Sequence, residues 1–341
     1  MTIREAIDAI VSHRRSLSEA EAADVMRDIM SGEATPAQIG AFLVALRAKG
    51  ETVDEITGMA RVMREHALAV PTAGLSRLVD TCGTGGDASG TFNVSTAAAF
   101  VVAGAGGRVA KHGNRAMTSA CGSADVLEAL GAKIDLNPEQ VAQCIRDVGF
   151  GFMFAQTFHP AMKHVAGPRR EIGIRTVFNI LGPLTNPAGA AHQLLGVARP
   201  ELAPLLAQAL GRLGVRHALV VHGHGGLDEL SLSGPSTVHE LRDGALREYN
   251  ISPKEVGLSQ APNEAVRGGS PKENAAALRA VLDGDTGPLR DITLLNAAAA
   301  LVAADLAPDL KEGVCLAARA VDSGAARDKL AAFVKLTGSF A

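Results

Sequence analysis

Residues 80–125 read DTCGTGGDASGTFNVSTAAAFVVAGAGGRVAKHGNRAMTSACGSAD. The apolar pair Leu78-Val79 leads into this stretch and reads as part of a strand over 77–80. The glycine turn Gly83-Thr84-Gly85-Gly86-Asp87 follows directly. Glycine takes positive φ at little cost and lets a ligand approach the main chain. Successive N–H groups in such a turn can form a nest for an anion. The turn lacks GxxxxGK[ST], so it is no Walker A loop, and no GxGxxG opens the next helix as a dinucleotide fingerprint requires. A plain strand-to-helix turn is the competing reading. Thr91-Phe92-Asn93-Val94-Ser95-Thr96 then starts an alanine-rich helix through 97–105. Asn, Ser and Thr are favoured as N-caps, and the unpaired N–H groups of a helix start also attract phosphate. Third, a short strand over 108–110 delivers the basic loop Lys111-His112-Gly113-Asn114-Arg115, which leads into Thr118-Ser119-Ala120-Cys121-Gly122-Ser123. A basic run is often only a solvated face. Here it ends an apolar strand, where α/β proteins place their sites. Three phosphate-holding devices in one stretch point to a substrate with several phosphates, and so to an enzyme.

Outward from this stretch the chain divides. Residues 1–70 carry helical signals only. Ile3, Ile7, Ile10 and Val11 share a helical face. Ser18 with Glu21, and Thr52 with Glu55, are capping-box pairs, and Thr35-Pro36 is a cap followed by proline in the first turn. After Pro71, strands alternate with helices. Further strands are expected at 133–136, 151–154, 193–197 and 218–221, with helices at 123–130, 138–148 and 201–213. Residues 238–249 read as a hairpin turning at Asp243-Gly244. From Lys272 the chain is alanine-rich and helical. The expected class is α/β: a small all-helical N-terminal domain (1–70) and a larger α/β domain (71–341) with a central mixed, mostly parallel sheet.

The 341 residues are 47% hydrophobic with a net charge of −3. This suits a sizeable core and makes no electrostatic case for a nucleic-acid partner. One tyrosine and no tryptophan leave few platforms for stacked bases. Met1-Thr2-Ile3-Arg4-Glu5 lacks the features of a signal peptide. No apolar run reaches the roughly 18 residues that span a bilayer. No membrane association and a reduced, cytoplasmic location are therefore expected. Cys82, Cys121, Cys144 and Cys315 show no CxxC spacing, which argues against zinc and against a disulfide framework. Cys82 and Cys121 flank the phosphate motifs, as buried small hydrophobes or as thiols to which activity is sensitive.

A further feature is Asp228-Glu229, behind the apolar run 218–221 and the loop His222-Gly223-His224-Gly225-Gly226. Magnesium takes hard oxygen ligands and keeps several waters, so a carboxylate pair plus substrate phosphate suffices. The alternative is a surface acidic pair. His222 and His224 have no third soft ligand nearby, so a transition-metal site is not expected.

GTGGD, NVST, KHGNR and GSAD, in this order and spacing, resemble the anthranilate phosphoribosyltransferase family. The likeness continues through HPAMKHV (159–165), RREIGIRT (169–176), FNILGPLTNP (178–187) and GLDE (226–229), and covers essentially the whole chain. It implies a magnesium-dependent transfer of the phosphoribosyl group of phosphoribosyl pyrophosphate (PRPP) to the amine of anthranilate, the second step from chorismate to tryptophan. By position it implies PRPP contacts from Gly83, Gly86, Asp87, Thr91, Asn93, Val94, Ser95, Thr96, Lys111, Asn114, Ser119 and Ser123. It implies Gly83, Asn114, Arg169 and Pro183 around anthranilate, and Ser95, Asp228 and Glu229 at two magnesium ions per subunit. It further implies that residues 159–187 return to the helical domain, that the site lies in the cleft between domains, and that the chain forms a homodimer through the small domain. A glutamine amidotransferase partner is left open.

Arg169 can clamp the anthranilate carboxylate in bidentate fashion, or be a surface arginine of a helix that also holds Lys163 and Arg170. An aromatic amine is neutral and nucleophilic at neutral pH, so catalysis would rest on positioning and electrostatics. His112 is the candidate proton acceptor, with a structural or phosphate-facing histidine as the alternative. A pyrimidine nucleoside phosphorylase would not be expected to carry NVST, KHGNR and GLDE together. A nucleic-acid-binding relative should show a basic surface and a degraded acidic pair. Thr118 stands where the family often has serine, and His224-Gly225 where an acidic residue often precedes the glycine.

Overall fold

The computed structural model describes residues 1–116 and 120–340. The chain opens with four helices: α1 (Ile3–Val11), α2 (Glu19–Ser31), α3 (Pro36–Lys49) and α4 (Val53–Glu65). Each starts with the same device. Thr2, Ser18, Thr35 and Thr52 accept from the N3 backbone, and the Glu or Gln at N3 accepts from the cap's own N–H, so two orphan donors are satisfied per helix. Glu55 does more. Its buried carboxylate also takes Leu17 N (2.9 Å) and Lys49 Nζ (2.9 Å), which ties the α1–α2 link to α3 and α4.

The sheet contains β1 (Leu78–Gly83), β2 (Arg108–Gly113), β3 (Phe150–Phe154), β4 (His192–Gly196), β5 (His217–His222), β6 (Ser236–Arg242) and β7 (Ala245–Ile251). Its order is β3-β2-β1-β4-β5-β6-β7. The first five strands pair in parallel, and β6 and β7 close the far edge as an antiparallel hairpin. Asp243 (φ 45°) and Gly244 (φ 85°) make its turn, since a two-residue hairpin turn of this kind needs positive φ at both centres. The sheet is thus mixed and mostly parallel, as expected.

The remaining helices are α5 (Val94–Gly104), α6 (Ser123–Ala129), α7 (Pro138–Asp147), α8 (Ala155–Phe158), α9 (Lys163–Ile172), α10 (Phe178–Leu181), α11 (Ala203–Arg212), α12 (Pro271–Leu282), α13 (Pro288–Ala303), α14 (Leu310–Asp322) and α15 (Ala325–Ser339). Alternate side chains of β4 and β5 serve two cores. Leu194, Leu219 and Val221 join the cluster around α5 and α13. Leu195, Ala218 and Val220 join a second cluster with α1–α4 and α11. Val165, Phe178, Ile180 and Leu181 belong to that second cluster too, so α9 and α10 pack with the N-terminal helices. No helix among the described residues is long and apolar enough to cross a membrane.

Two expectations fail. Residues 133–136 form no strand. Ile134 and Leu136 are buried in alternation, but Lys133 N donates to Thr337 Oγ1 of α15 at 3.2 Å, and β3 is the sheet edge. The alternation comes from lying along a helix. The second is the length of β2. It runs on to Gly113 in register with β3, so Lys111 and His112 are strand residues rather than loop residues.

Candidate active site

β1, β2 and β4 each end on a glycine at the carboxyl edge of the sheet: Gly83, Gly113 and Gly196. Gly83 and Gly196 are register partners, and both make room for Asp228. A Cβ at Gly83 would lie 2.3 Å from Asp228 Oδ2, and one at Gly196 would lie 1.6 Å from its carbonyl oxygen. The carboxylate is thereby seated over two strand ends, where Gly85 N donates to it at 2.7 Å. Gly85 (φ 66°) and Gly86 (φ 77°) carry the loop through the left-handed region, which supports the nest reading over a plain turn. Asp87 is fixed by Ser89, whose N–H and hydroxyl both donate to it. Thr91 bridges to Arg267.

α5 begins at Val94 behind Asn93, but Asn93 makes no side-chain cap. Its Nδ2 donates to Cys121 O at 3.2 Å, and its Oδ1 accepts from Asn274 Nδ2 at 2.9 Å. The N-cap reading of the side chain is therefore corrected: Asn93 binds the helix start to the loop before α6. Against the stronger effect of burial, the Ser95 backbone amide, in the first turn of α5, pulls the Glu229 carboxyl down. The buried hydroxyl of Thr96 has no partner among the described residues.

Lys111 is only 2% exposed. It is a fixed buried cation, not a mobile loop charge. Its Nζ donates to Thr81 O and to Ser95 Oγ (3.1 Å). Burial pulls its pKa below the usual range, against the opposing pull of Asp80, Cys82 and Glu229. Asp80, which the sequence reading did not single out, is equally buried and accepts from His112 N (3.2 Å) and Asn186 Nδ2 (2.8 Å). Asn186 also donates to Ala110 O at 2.8 Å. This knot fastens residues 159–187 to β1 and β2. A signal existed: an acid one residue inside an apolar strand is rarely buried unless paired.

His112 faces His159 with ring centroids 4.9 Å apart. His112 Nδ1 lies 3.3 Å from Gly182 O, while Nε2 of both rings is buried without a partner among the described residues. Burial, and then His159, lower His112 to about 3; burial lowers His159 to about 4. Both rings are neutral at neutral pH. A base this weak is poorly matched to proton abstraction, so the geometry favours the structural alternative for His112. Asn114 O accepts from Ser123 Oγ at 3.3 Å. Arg115 turns away from the site to Asp125 and Glu128. Ser119 and Thr118 lie outside the described residues.

Arg169, on α9, stacks over Phe178 at 5.5 Å and has no carboxylate partner among the described residues. Burial lowers its pKa. No hydrogen bond joins it to the other candidate residues described. Pro183 O is held by Gln193 Nε2 at 2.7 Å, and the same amide reaches Cys82 Sγ at 3.1 Å. Cys82, Cys121 and Cys144 are buried, and only Cys315 is exposed. Burial raises Cys82 well above its usual value and Cys121 to about 11.

Asp87, Asp228 and Glu229 act on one another here, and Lys111 acts on Glu229. Burial, then Asp87, push Asp228 up to about 7. Burial, then Asp228, raise Glu229 well above its ordinary value. Hard oxygen donors this short of positive charge fit a divalent ion. His222 and His224 are engaged in local hydrogen bonds. His222 Nδ1 is 2.8 Å from Val197 O, and His224 Nδ1 is 2.9 Å from Ser233 Oγ. At the amino edge of the sheet, His217 contacts Asp305 and Glu240 through its two ring nitrogens (2.9 and 3.1 Å), and with His192 and Asp305 it forms a separate group of potential ligand atoms.

Residues 4–67 match the helical bundle domain of a glycosyl transferase family, and residues 75–327 match its a/b domain. An anthranilate phosphoribosyltransferase of Chloroflexus aggregans is 63% identical over 332 residues, 97% of each chain. The chain belongs to the anthranilate phosphoribosyltransferase family. The crystal structure of the family member from Thermus thermophilus superposes with a TM-score of 0.92 at 49% identity, covering 98% of this chain and 99% of that one. The Saccharomyces cerevisiae member, in complex with PRPP and Mg, superposes with a TM-score of 0.90 at 31% identity, covering 99% and 98%. The family fold and this chain's helical layer and seven-stranded sheet therefore correspond from end to end.

Proposed function

We propose that this chain transfers the phosphoribosyl group of PRPP to the amine of anthranilate, releasing pyrophosphate and N-(5-phosphoribosyl)anthranilate. The observation that carries the reading is the convergence of the glycine loop, the α5 amino end, Lys111 and the Asp228-Glu229 pair at one edge of the sheet. Gly83, Gly86, Asp87 and Thr91, then Asn93, Val94, Ser95 and Thr96, with Lys111, Asn114, Ser119 and Ser123, are proposed to hold PRPP. Ser95, Asp228 and Glu229 are proposed to hold two magnesium ions per subunit, which would neutralise the departing pyrophosphate. Arg169 would clamp the anthranilate carboxylate, with Gly83, Asn114 and Pro183 around the ring. The amine nitrogen forms the bond to C1 as the C1–O bond to pyrophosphate breaks, and its surplus proton passes to water or to the departing pyrophosphate. Glycine-loop and α5 amides other than Gly85 N–H, which Asp228 takes, would add electrostatic stabilisation of the phosphates. Neutral His112 and His159 would be structural rather than general bases.

A homodimer through the helical layer goes with this reading, since Val11, Val44 and Ile174 expose apolar surface on or beside α1, α3 and α9. A cytoplasmic setting also goes with it, because all four cysteines are free thiols. Loss of anthranilate fluorescence on adding PRPP and magnesium tests the reaction. Loss that EDTA abolishes supports it. No loss, with PRPP still bound, would move the acceptor to another class, nucleobases first.

A further inference from the structure

We propose that Arg175 is a positioning residue that fixes the glycine loop for the sugar diphosphate, seating the Gly85 N–H on Asp228 and turning the Gly86 N–H away from the guanidinium. It sits between α9 and α10, in the segment that packs with the helical layer. Its Nη2 donates to Gly85 O at 2.8 Å and to Thr84 O at 3.3 Å. These are its only hydrogen bonds among the described residues. Gly86 lies flat under the same guanidinium: a Cβ there would be 1.2 Å from Nη1.

The consequence follows from peptide geometry. In a planar trans peptide the C=O and N–H point in opposite directions. Thr84 O faces Arg175 while the N–H of that same peptide, on Gly85, donates to Asp228 at 2.7 Å. Gly85 O also faces Arg175, so the Gly86 N–H is turned the opposite way. Arg175 therefore sets the orientation of two consecutive donors. The sheet side holds the start of the loop independently, through Thr84 N to Gly196 O (2.9 Å) and Ala198 N to Thr84 Oγ1 (3.3 Å). Beyond the guanidinium lies a small cleft that Arg47, Glu51 and Arg199 also line. The side chain is exposed there, so the carbonyl bonds, not burial, keep it in place. Arg47 and Arg199 place like charge in that cleft, and Glu51 lines it without forming an ion pair with Arg175.

The inference rests on the PRPP reading of the loop, and the test separates the two. Steady-state kinetics of Arg175→Ala and Arg175→Lys are compared with wild type, varying each substrate in turn. In Arg175→Ala the KM for PRPP should rise about ten-fold, the loss expected for one charge-assisted bond. The KM for anthranilate should change by less than about two-fold and kcat by less than about three-fold. Arg175→Lys should recover part of the loss, because an ammonium can reach one carbonyl at a time. Hydrogen exchange of ligand-free protein should speed up in residues 83–90 of Arg175→Ala and stay unchanged in α1–α4. An unaltered KM for PRPP, an equal rise for both substrates, or unchanged exchange in the loop would overturn the proposal. A wild type without PRPP-dependent turnover would sink the functional reading instead, while the exchange result would still judge the clamp.

Discussion

Asp228→Asn should make the ligand-free protein more stable while removing its turnover. The carboxyl is pushed from 3.8 up to about 7, first by burial and then by Asp87. Each pKa unit corresponds to about 1.4 kcal/mol, so this displacement amounts to about 4 kcal/mol. Because the folded value lies above the unfolded one, the wild type has its full stability below about pH 4 and loses it as pH rises through about 7. Asparagine does not titrate, and its Oδ1 can still accept from Gly85 N. The variant should therefore match wild type near pH 4 and exceed it near pH 8. Partial exposure at the cleft reduces the gain to about 2–4 kcal/mol. An unfolding entropy of roughly 2 cal/mol/K per residue, over 341 residues, gives about 0.7 kcal/mol per degree. The melting temperature should rise by about 3–6 °C at pH 8 in the presence of EDTA. Calorimetry at both pH values, beside the fluorescence assay, decides the matter. A variant that melts no higher at pH 8, or one whose advantage is the same at pH 4, would refute the electrostatic argument. Full turnover would refute the metal role.

Three other expectations can be checked with the same assays. Arg169→Ala should raise the KM for anthranilate at least ten-fold and that for PRPP far less; equal losses would mark Arg169 as structural. Gly83→Ala should cut turnover by more than a hundred-fold, since its Cβ would fall 2.3 Å from Asp228 Oδ2, yet leave the far-UV circular dichroism unchanged. Glu55→Ala should cost about 3 kcal/mol, because it strands the buried Leu17 N and takes a partner from Thr52 N and from the half-buried Lys49 ammonium, which keeps Ser16 Oγ and Gly50 O. Denaturant titration measures it, and a cost under about 1 kcal/mol would count against that assignment.

Much of the architecture was legible because the decisive signals are local. Capping boxes at Ser18 and Thr52, the Asp243-Gly244 turn and the alternation of strands and helices each act over a few residues, and all are present. What escaped was set by distant partners. Lys111 reads as an exposed loop charge until β3 is known to pair alongside it. Asn93 reads as a cap until Asn274, 181 residues away, takes its side chain. Residues 133–136 have a strand's alternation without a strand's neighbour. Arg175 has no signal of its own within residues 169–176, since nothing in its surroundings along the chain shows that two glycine-loop carbonyls lie against it. Asp228-Glu229 was legible as a pair, but its seat over Gly83 and Gly196 follows only from the register of β1 and β4.

The distribution of thiols has a practical consequence. Burial raises the Cys144 thiol to about 12, and Cys82 and Cys121 are shielded as well, so Cys315 on α14 alone is open to reagents. A maleimide dye should attach at one native position, in a chain that contains no tryptophan. Tumbling of the labelled protein can then be followed by fluorescence anisotropy across dilution, giving the assembly state without an engineered cysteine.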